Sequence, residues 1–154
     1  MKTRNFTALT ERDAVQKVQA AEDAWNTHDL NGVVLASTID CHWRNRAEFL
    51  WGREQIKAYL ARRWRQEFEP RLVNELWTCE RDRVAIRFSC EFRNDSGTWF
   101  RAYGNEHWQC DVNGLVRRRL TCANEHPIQE RERAFRWPIG IRPAGHPTLS
   151  ELGF

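Results

Sequence analysis

The chain has 154 residues, a net charge of +3 and a hydrophobic fraction of 41%, with eight tryptophans and eight phenylalanines. That length fits one domain burying about two-thirds of the surface its unfolded chain exposes, and so many large apolar groups exclude a disordered chain. No apolar run approaches the ~18 residues of a membrane span, and MKTRNFTALTERD lacks the apolar stretch of a secretory signal, so the expectation is a cytoplasmic protein without a membrane partner.

Thr10-Glu-Arg-Asp13 has the form of a capping box, and Ala14, Val18, Ala21 and Trp25 then recur on one helical face. Asn26-Thr-His-Asp29 breaks that helix, and Asp29 caps a short second one through Val33-Val34-Leu35. The segment DCHWRNRAEFLWGR, residues 40–53, reads as extended and aromatic, and Gly52 starts a third helix with Ile56, Tyr59, Leu60 and Trp64 on one face. The period then changes from 3.6 to 2. Turn signals at Glu80–Arg83, Asn94–Gly97 and Val112–Gly114 separate four predicted strands near 71–79, 83–93, 98–110 and 115–124. In the second, Val84, Ile86, Phe88, Cys90 and Phe92 alternate with Arg83, Arg87, Ser89, Glu91 and Arg93, the pattern of a sheet with one buried face. Strands this long must bend, and bulges are expected. From Pro127 no period is sustained. Residues 127–154 read as an ordered tail packed on a domain of residues 1–126, with Phe135, Trp137 and Ile139 as anchors. Helices first and strands later indicate an α+β fold, its helices covering one face of a curved antiparallel sheet. A cone of that kind encloses a pocket.

The charge pattern argues against nucleic acid. There are 21 arginines and three lysines, interleaved with 21 acids as in Glu130-Arg-Glu-Arg133, and only Arg62-Arg63-x-Arg65 and Arg117-Arg118-Arg119 form basic runs. Binding a phosphate backbone draws on uncompensated positive charge. Cys41, Cys79, Cys90, Cys110 and Cys122 stand singly, an odd number without a CxxC pair, so neither a disulfide framework nor a zinc site is expected. No Ser-His-Asp, Cys-His or glycine-rich phosphate signature assembles, His28 and His42 read as surface or hinge residues, and no cofactor is implied.

The order of elements resembles the nuclear transport factor 2-like superfamily, which includes ketosteroid isomerase, scytalone dehydratase and SnoaL-type polyketide cyclases. W-R-N-R-x-E-F-L-x-G-R-E at 43–54, N-E-L-W at 74–77, Y-G-N-E-x-W at 103–108, G-L-x-R-R-R at 114–119 and H-P-T-L-S-E-L-G at 146–153 are similar to an uncharacterised, mainly bacterial family within it. The resemblance implies a cone-shaped fold and dimerisation through the outer face of the sheet. Ketosteroid isomerase works with an aspartate base and with a tyrosine and a protonated aspartate as oxyanion donors. Counting from shared landmarks, the tyrosine falls on Ala21, the base on Asn45 and the second acid on Glu106. Alanine cannot donate a proton and asparagine cannot abstract one, so isomerase chemistry by that route is not expected.

Glu106 is also singled out by its strand, as the one acid among Phe100, Ala102, Gly104, Trp108 and Cys110 on an apolar face. Buried there, it is either a carboxyl kept protonated by desolvation, fit for general-acid work, or half of a structural ion pair with an arginine. In Leu115-Val-Arg-Arg-Arg-Leu120, Val116, Leu120 and Cys122 inward would carry Arg118 with them, whereas the isomerase alignment points Arg117 and Arg119 inward; the first reading is favoured, and a bulge would reconcile the two. Trp43, Asn45 and Phe49 are expected at the pocket mouth, Arg46 beside them suits a carboxylate or carbonyl, and Tyr59 is a further donor or a core residue. The candidate set is thus Glu106 as acid or anchor with Trp43, Asn45, Arg46, Tyr59, Trp108 and Arg118 as ligand contacts. A small, largely apolar molecule with a polar group is the expected partner. A homodimeric interaction module showing Trp77, Trp99 and Tyr103 outward is the alternative, and single-strand binding through arginine and aromatics is a further one.

Overall fold

The computed structural model describes residues 8–154, so the first seven residues of the N-terminal stretch read above lie outside the described residues. Helix α1 (Glu11–Asn26) starts at Thr10, whose hydroxyl accepts from the Asp13 N–H at 3.0 Å while the Asp13 carboxylate accepts from the Thr10 N–H at 3.2 Å. Ala14, Val18 and Trp25 are buried as the period predicts, and so are Glu22 and Asn26. Asn26 joins the helix to the sheet, accepting from the Leu72 N–H at 2.8 Å and donating to the Leu72 carbonyl at 2.9 Å. It supplies the pairing that an edge strand lacks. The Asp29 carboxylate caps α2 (Leu30–Leu35) through the Gly32 N–H at 2.9 Å.

The extended segment is a hairpin of β1 (Ser37–Asn45) and β2 (Glu48–Trp51), leading through Gly52, at φ +77°, into α3 (Gly52–Gln66). Its turn places Arg46 at φ +54°, a left-handed conformation fixed where the Arg46 N–H donates to the Thr121 carbonyl at 2.8 Å. Four long strands follow, β3 (Phe68–Glu80), β4 (Arg83–Arg93), β5 (Trp99–Cys110) and β6 (Val116–Ile128), breaking at the three predicted turns. The sheet order is β2-β1-β6-β5-β4-β3, with β1 and β6 parallel and the other neighbours antiparallel. Bulges interrupt β3 against β4 and β5 against β6, bending the sheet. At Gly104 the Phe88 ring crosses the facing strand so closely that a Cβ would lie 2.3 Å from it and 2.6 Å from the Cys122 carbonyl. The result is an α+β cone: α1, α2 and α3 cover the concave face, and Trp25, Trp43, Ile56, Leu60, Leu72 and Phe92 form part of the main core.

The outer face differs from the simple alternation. Ser89 and Glu91, on the polar side of β4, are fully buried, because the chain after β6 packs over that end of the sheet. Phe135, Trp137 and Leu149, the last from the short α4 (Leu149–Leu152), form a satellite core with Val73. Glu91 accepts from the Phe135 N–H at 2.8 Å and from Arg101 Nη2 at 2.7 Å. Trp99, expected outward, is buried under Arg133, whose guanidinium sits 3.6 Å from its ring centre. Ile139, expected as an anchor, is 60% exposed; Leu149 takes that role. No helix among the described residues is long and apolar enough to cross a membrane.

Candidate functional site

Between α1, α2 and the concave face of the sheet lies a cavity of about 590 Å³. Small side chains of the helices, Ala20, Ala21, Ala24 and Gly32, make room for it, while Trp25, Trp43, Trp108, Val33 and Leu72 give it apolar walls. Lys17 spans its edge, donating from Nζ to the Gly114 carbonyl at 2.7 Å and tying α1 to the β5–β6 turn.

One ion pair lies at its inner end. The Glu106 carboxylate, 5% exposed, accepts from Trp108 Nε1 at 2.8 Å, from Arg119 Nε at 3.0 Å and from Arg119 Nη2. The Arg119 guanidinium lies over Trp43, 4.5 Å from its ring centre, and 5.5 Å from that of Trp25. Three N–H donors are aimed at this one carboxylate, so Glu106 sits in the ion pair of the two readings, as an acceptor. Asp23, Thr27, Asp29, Ser37 and Asn74 add to the polar lining.

Arg119, not Arg118, supplies the guanidinium. Cys110 pairs with Val116 and Gln109 with Arg118, so Arg117 is an extra residue on β6 and the inward parity changes between Val116 and Arg119. Arg118 is therefore exposed on the outer face beside its β1 partner His42, and Cys122 is exposed as well. The bulge meets both sequence arguments halfway: Val116 and Arg119 both face inward.

The remaining sequence candidates fall in a second, smaller space. Asn45, Arg46, Tyr59, Arg63, Glu67, Cys90 and Thr121 line a chamber of about 50 Å³, enough for a few water molecules. It shares Trp25, Leu72, Glu106 and Arg119 with the large cavity, so the ion pair and these two apolar groups are the partition between them. Arg46 turns to Glu125 at 3.0 Å, and Phe49, expected at the mouth, is 58% exposed beside His42. Burial raises the Tyr59 phenol above its ordinary value and pushes the Cys90 thiol well up. Burial also raises the Glu67 carboxyl, against the pull of Arg63 at 2.6 Å. Trp43, Trp108 and Glu106 thus meet in the large cavity, Asn45, Arg46 and Tyr59 border the small one, and Arg118 touches neither. Sequence reasoning missed Trp25 and Lys17 as lining residues; their helical spacing from Ala21 held the signal.

The basic runs are largely compensated. Arg62 pairs with Glu48 at 2.6 Å, Arg63 with Glu67 at 2.6 Å and Arg117 with Asp82 at 4.0 Å, besides Arg119 with Glu106. Among the described residues, no three His, Cys, Asp or Glu side chains converge as metal ligands.

The cone is shared with solved structures at low identity. Rv0760c from Mycobacterium tuberculosis is 14% identical over 77% of this chain and 98% of its own, with a TM-score of 0.67. SalBIII, an epoxide hydrolase/cyclase-like enzyme of salinomycin pyran-ring formation, is 15% identical over 74% of this chain and 92% of its own, with a TM-score of 0.66. A SnoaL-like protein of unknown function from Burkholderia thailandensis is 20% identical over 77% and 99%, with a TM-score of 0.62. These similarities show that this chain shares the fold of those proteins. No curated protein matches the sequence significantly. Residues 7–136 match the family described as "Protein of unknown function (DUF1348)", to which this chain belongs.

Proposed function

We propose that the protein binds a small, largely apolar molecule in the large cavity, with the ligand's polar group at the Glu106–Arg119 pair. The observation that carries this is the cavity itself: about 590 Å³ walled by three tryptophans, with one buried ion pair at its inner end. Binding sites commonly join a mostly apolar concavity to a few convergent polar groups. Arg119 and Glu106 cancel in charge, so the group they receive is a neutral acceptor or donor such as a carbonyl or hydroxyl, not a free carboxylate. Turnover by the isomerase route is disfavoured, since Ala21 and Asn45 stand where its tyrosine and base would be.

Rv0760c has been crystallised with estradiol-17β-hemisuccinate, which makes estradiol and this ester a graded pair of probes. In a thermal-shift panel of neutral and acidic apolar molecules, a neutral compound raises the melting temperature, and Glu106→Gln, still folded, loses that shift. A broad panel that leaves the wild-type melting temperature unmoved, with Glu106→Gln merely less stable, removes the reading's support.

A second observation favours self-association. Phe49 and Trp51, 58% and 60% exposed, flank His42 on the outer face of the edge hairpin. Contiguous exposed aromatics beside arginine are characteristic of interface cores. A homodimer through this part of the sheet is the expected state, and light scattering at micromolar concentration giving a clean monomer would refute it.

A further inference from the structure

We infer that the C-terminal strap, residues 138–147, is a movable part of the rim of the large cavity, latched by Arg142 on Glu22. The inference rests on the ligand-binding reading for its purpose, but not for its test.

The strap is irregular chain between two anchored ends. Before it, Trp137 is buried, and its carbonyl accepts from Arg71 Nε at 2.8 Å; after it, Leu149 is buried in the same satellite core. Between them come Pro138, Pro143 and Pro147 with Gly140 and Gly145, and Gly140 sits at φ +127°, a conformation that L side chains rarely adopt. Ile141 stands at the boundary of cavity and solvent, lining the cavity while remaining 61% exposed. The next residue makes the latch. Arg142 Nε donates to Glu22 Oε1 at 2.6 Å and Nη2 to Oε2 at 3.3 Å. Glu22, fully buried on α1, also accepts from the Asn74 N–H at 2.9 Å and from Gln19 at 3.4 Å. Among the described residues, this pair is the hydrogen-bonded link of the strap to the cavity-forming helix.

Those features divide the work. Glu22 is held from the body side by α1 and by Asn74 of β3, so it stays when the strap moves. Arg142 belongs to a segment with no ladder hydrogen bonds of its own, which places it among the parts of a fold that open at low cost. Releasing the pair frees Ile141 at the rim, while the strap stays tethered on its satellite-core side by Trp137 Nε1 donating to the Gly140 carbonyl at 3.0 Å and by His146 against Trp137 and Phe135. Ile141 is the strap residue that lines the cavity, and through it the strap sets which molecules pass.

The test uses the cavity tryptophans as reporters and needs no ligand. In a Trp51→Phe/Trp77→Phe background, which removes two exposed indoles, acrylamide quenching is compared for wild type, Arg142→Ala, Arg142→Lys and Ile141→Ala. Opening of the strap raises the quenching constant about twofold or more in Arg142→Ala, less in Ile141→Ala, and hardly in Arg142→Lys. Adding Trp25→Phe, Trp43→Phe and Trp108→Phe, the three indoles that line the cavity, abolishes the increase and so assigns it to the cavity. Because Arg142→Ala leaves a buried carboxylate without its partner, Ile141→Ala, at an exposed position, keeps the test valid if that variant unfolds. Unchanged quenching in both Arg142→Ala and Ile141→Ala overturns the inference. So does an increase that survives removal of Trp25, Trp43 and Trp108, which would report loosening around Trp137. Stopped-flow entry of estradiol into the same variants then reads the ligand arm. Failure of estradiol to bind wild type counts against the ligand class alone and leaves the quenching result standing.

Discussion

The Glu106–Arg119 pair concentrates the energetics of the site in two side chains. Arg119 is 12% exposed at its side chain and Glu106 6%, so removing either partner leaves a charge in an apolar wall. Breaking such a buried pair costs about 3–5 kcal/mol, whereas replacing both partners with neutral groups of similar volume costs far less. Arg119→Met alone should therefore lower stability by about that amount, and Glu106→Gln/Arg119→Met should recover much of it. Urea denaturation of the four species of the cycle checks this; additive losses would mean the pair is not coupled. His42 offers a pH-dependent counterpart. Both of its ring nitrogens are buried without a hydrogen-bond partner, and the ring stacks on Trp51 at 3.7 Å. Burial, helped by the Arg118 charge, lowers its pKa below the ordinary 6.5. The unfolded chain then binds more protons than the native one as pH falls below about 6.5, so the native state loses stability there. His42→Phe should flatten that acid limb of a melting-temperature profile, and an unchanged limb would rule out His42 as its source.

At the level of elements, local chemistry explains what could be read in advance. The Thr10 capping box, the Asp29 cap, the three turns and the inward face of β4 all depend on neighbours in sequence, and all stand where the residues predict. What could not be read depends on pairing. Arg118 faces out because one extra residue, Arg117, enters β6 opposite the β5 ladder, and nothing in LVRRRL says which arginine that is. Ser89 and Glu91 are buried because a segment more than forty residues later covers them, a contact without periodicity to announce it. Glu91, fully buried, bonds to Arg101 and to the N–H groups of Ala134 and Phe135. Phe135, fully buried too, should carry much of the stability of this attachment. Phe135→Ala should cost about 3–5 kcal/mol by loss of apolar burial and the cavity left behind. The loss is read by denaturation, and amide exchange should show strand β4 near Glu91 losing protection with it. A loss below about 1 kcal/mol, the scale of a surface change, would show that the tail merely rests on the sheet.

For the molecule as a whole, the tail decides which surfaces remain available. By covering the β3–β4 end of the outer face it buries Trp99, while Trp77 and Tyr103 stay exposed and the β1–β2 edge hairpin stays open with Phe49 and Trp51 side by side near Arg118. A short edge strand such as β2, four residues long, offers little backbone for strand addition, so an interface there must form through side chains. Stable interfaces bury about 800 Å² on each partner around a few aromatic or arginine anchors. Phe49 and Trp51 are the anchors this face provides, and both project away from the cavity. Replacing both with glutamate should therefore convert the proposed dimer to monomer, as read by sedimentation, while Trp43, Trp108 and the Glu106–Arg119 pair keep their places. Such like charges juxtaposed across a two-fold interface cost several kcal/mol, ample to dissociate a dimer of micromolar affinity. The monomeric variant should keep any ligand-induced thermal shift, because no residue lining the cavity belongs to the hairpin's outer face. Loss of ligand response together with the dimer would instead mean that the partner copy holds the cone in its binding shape.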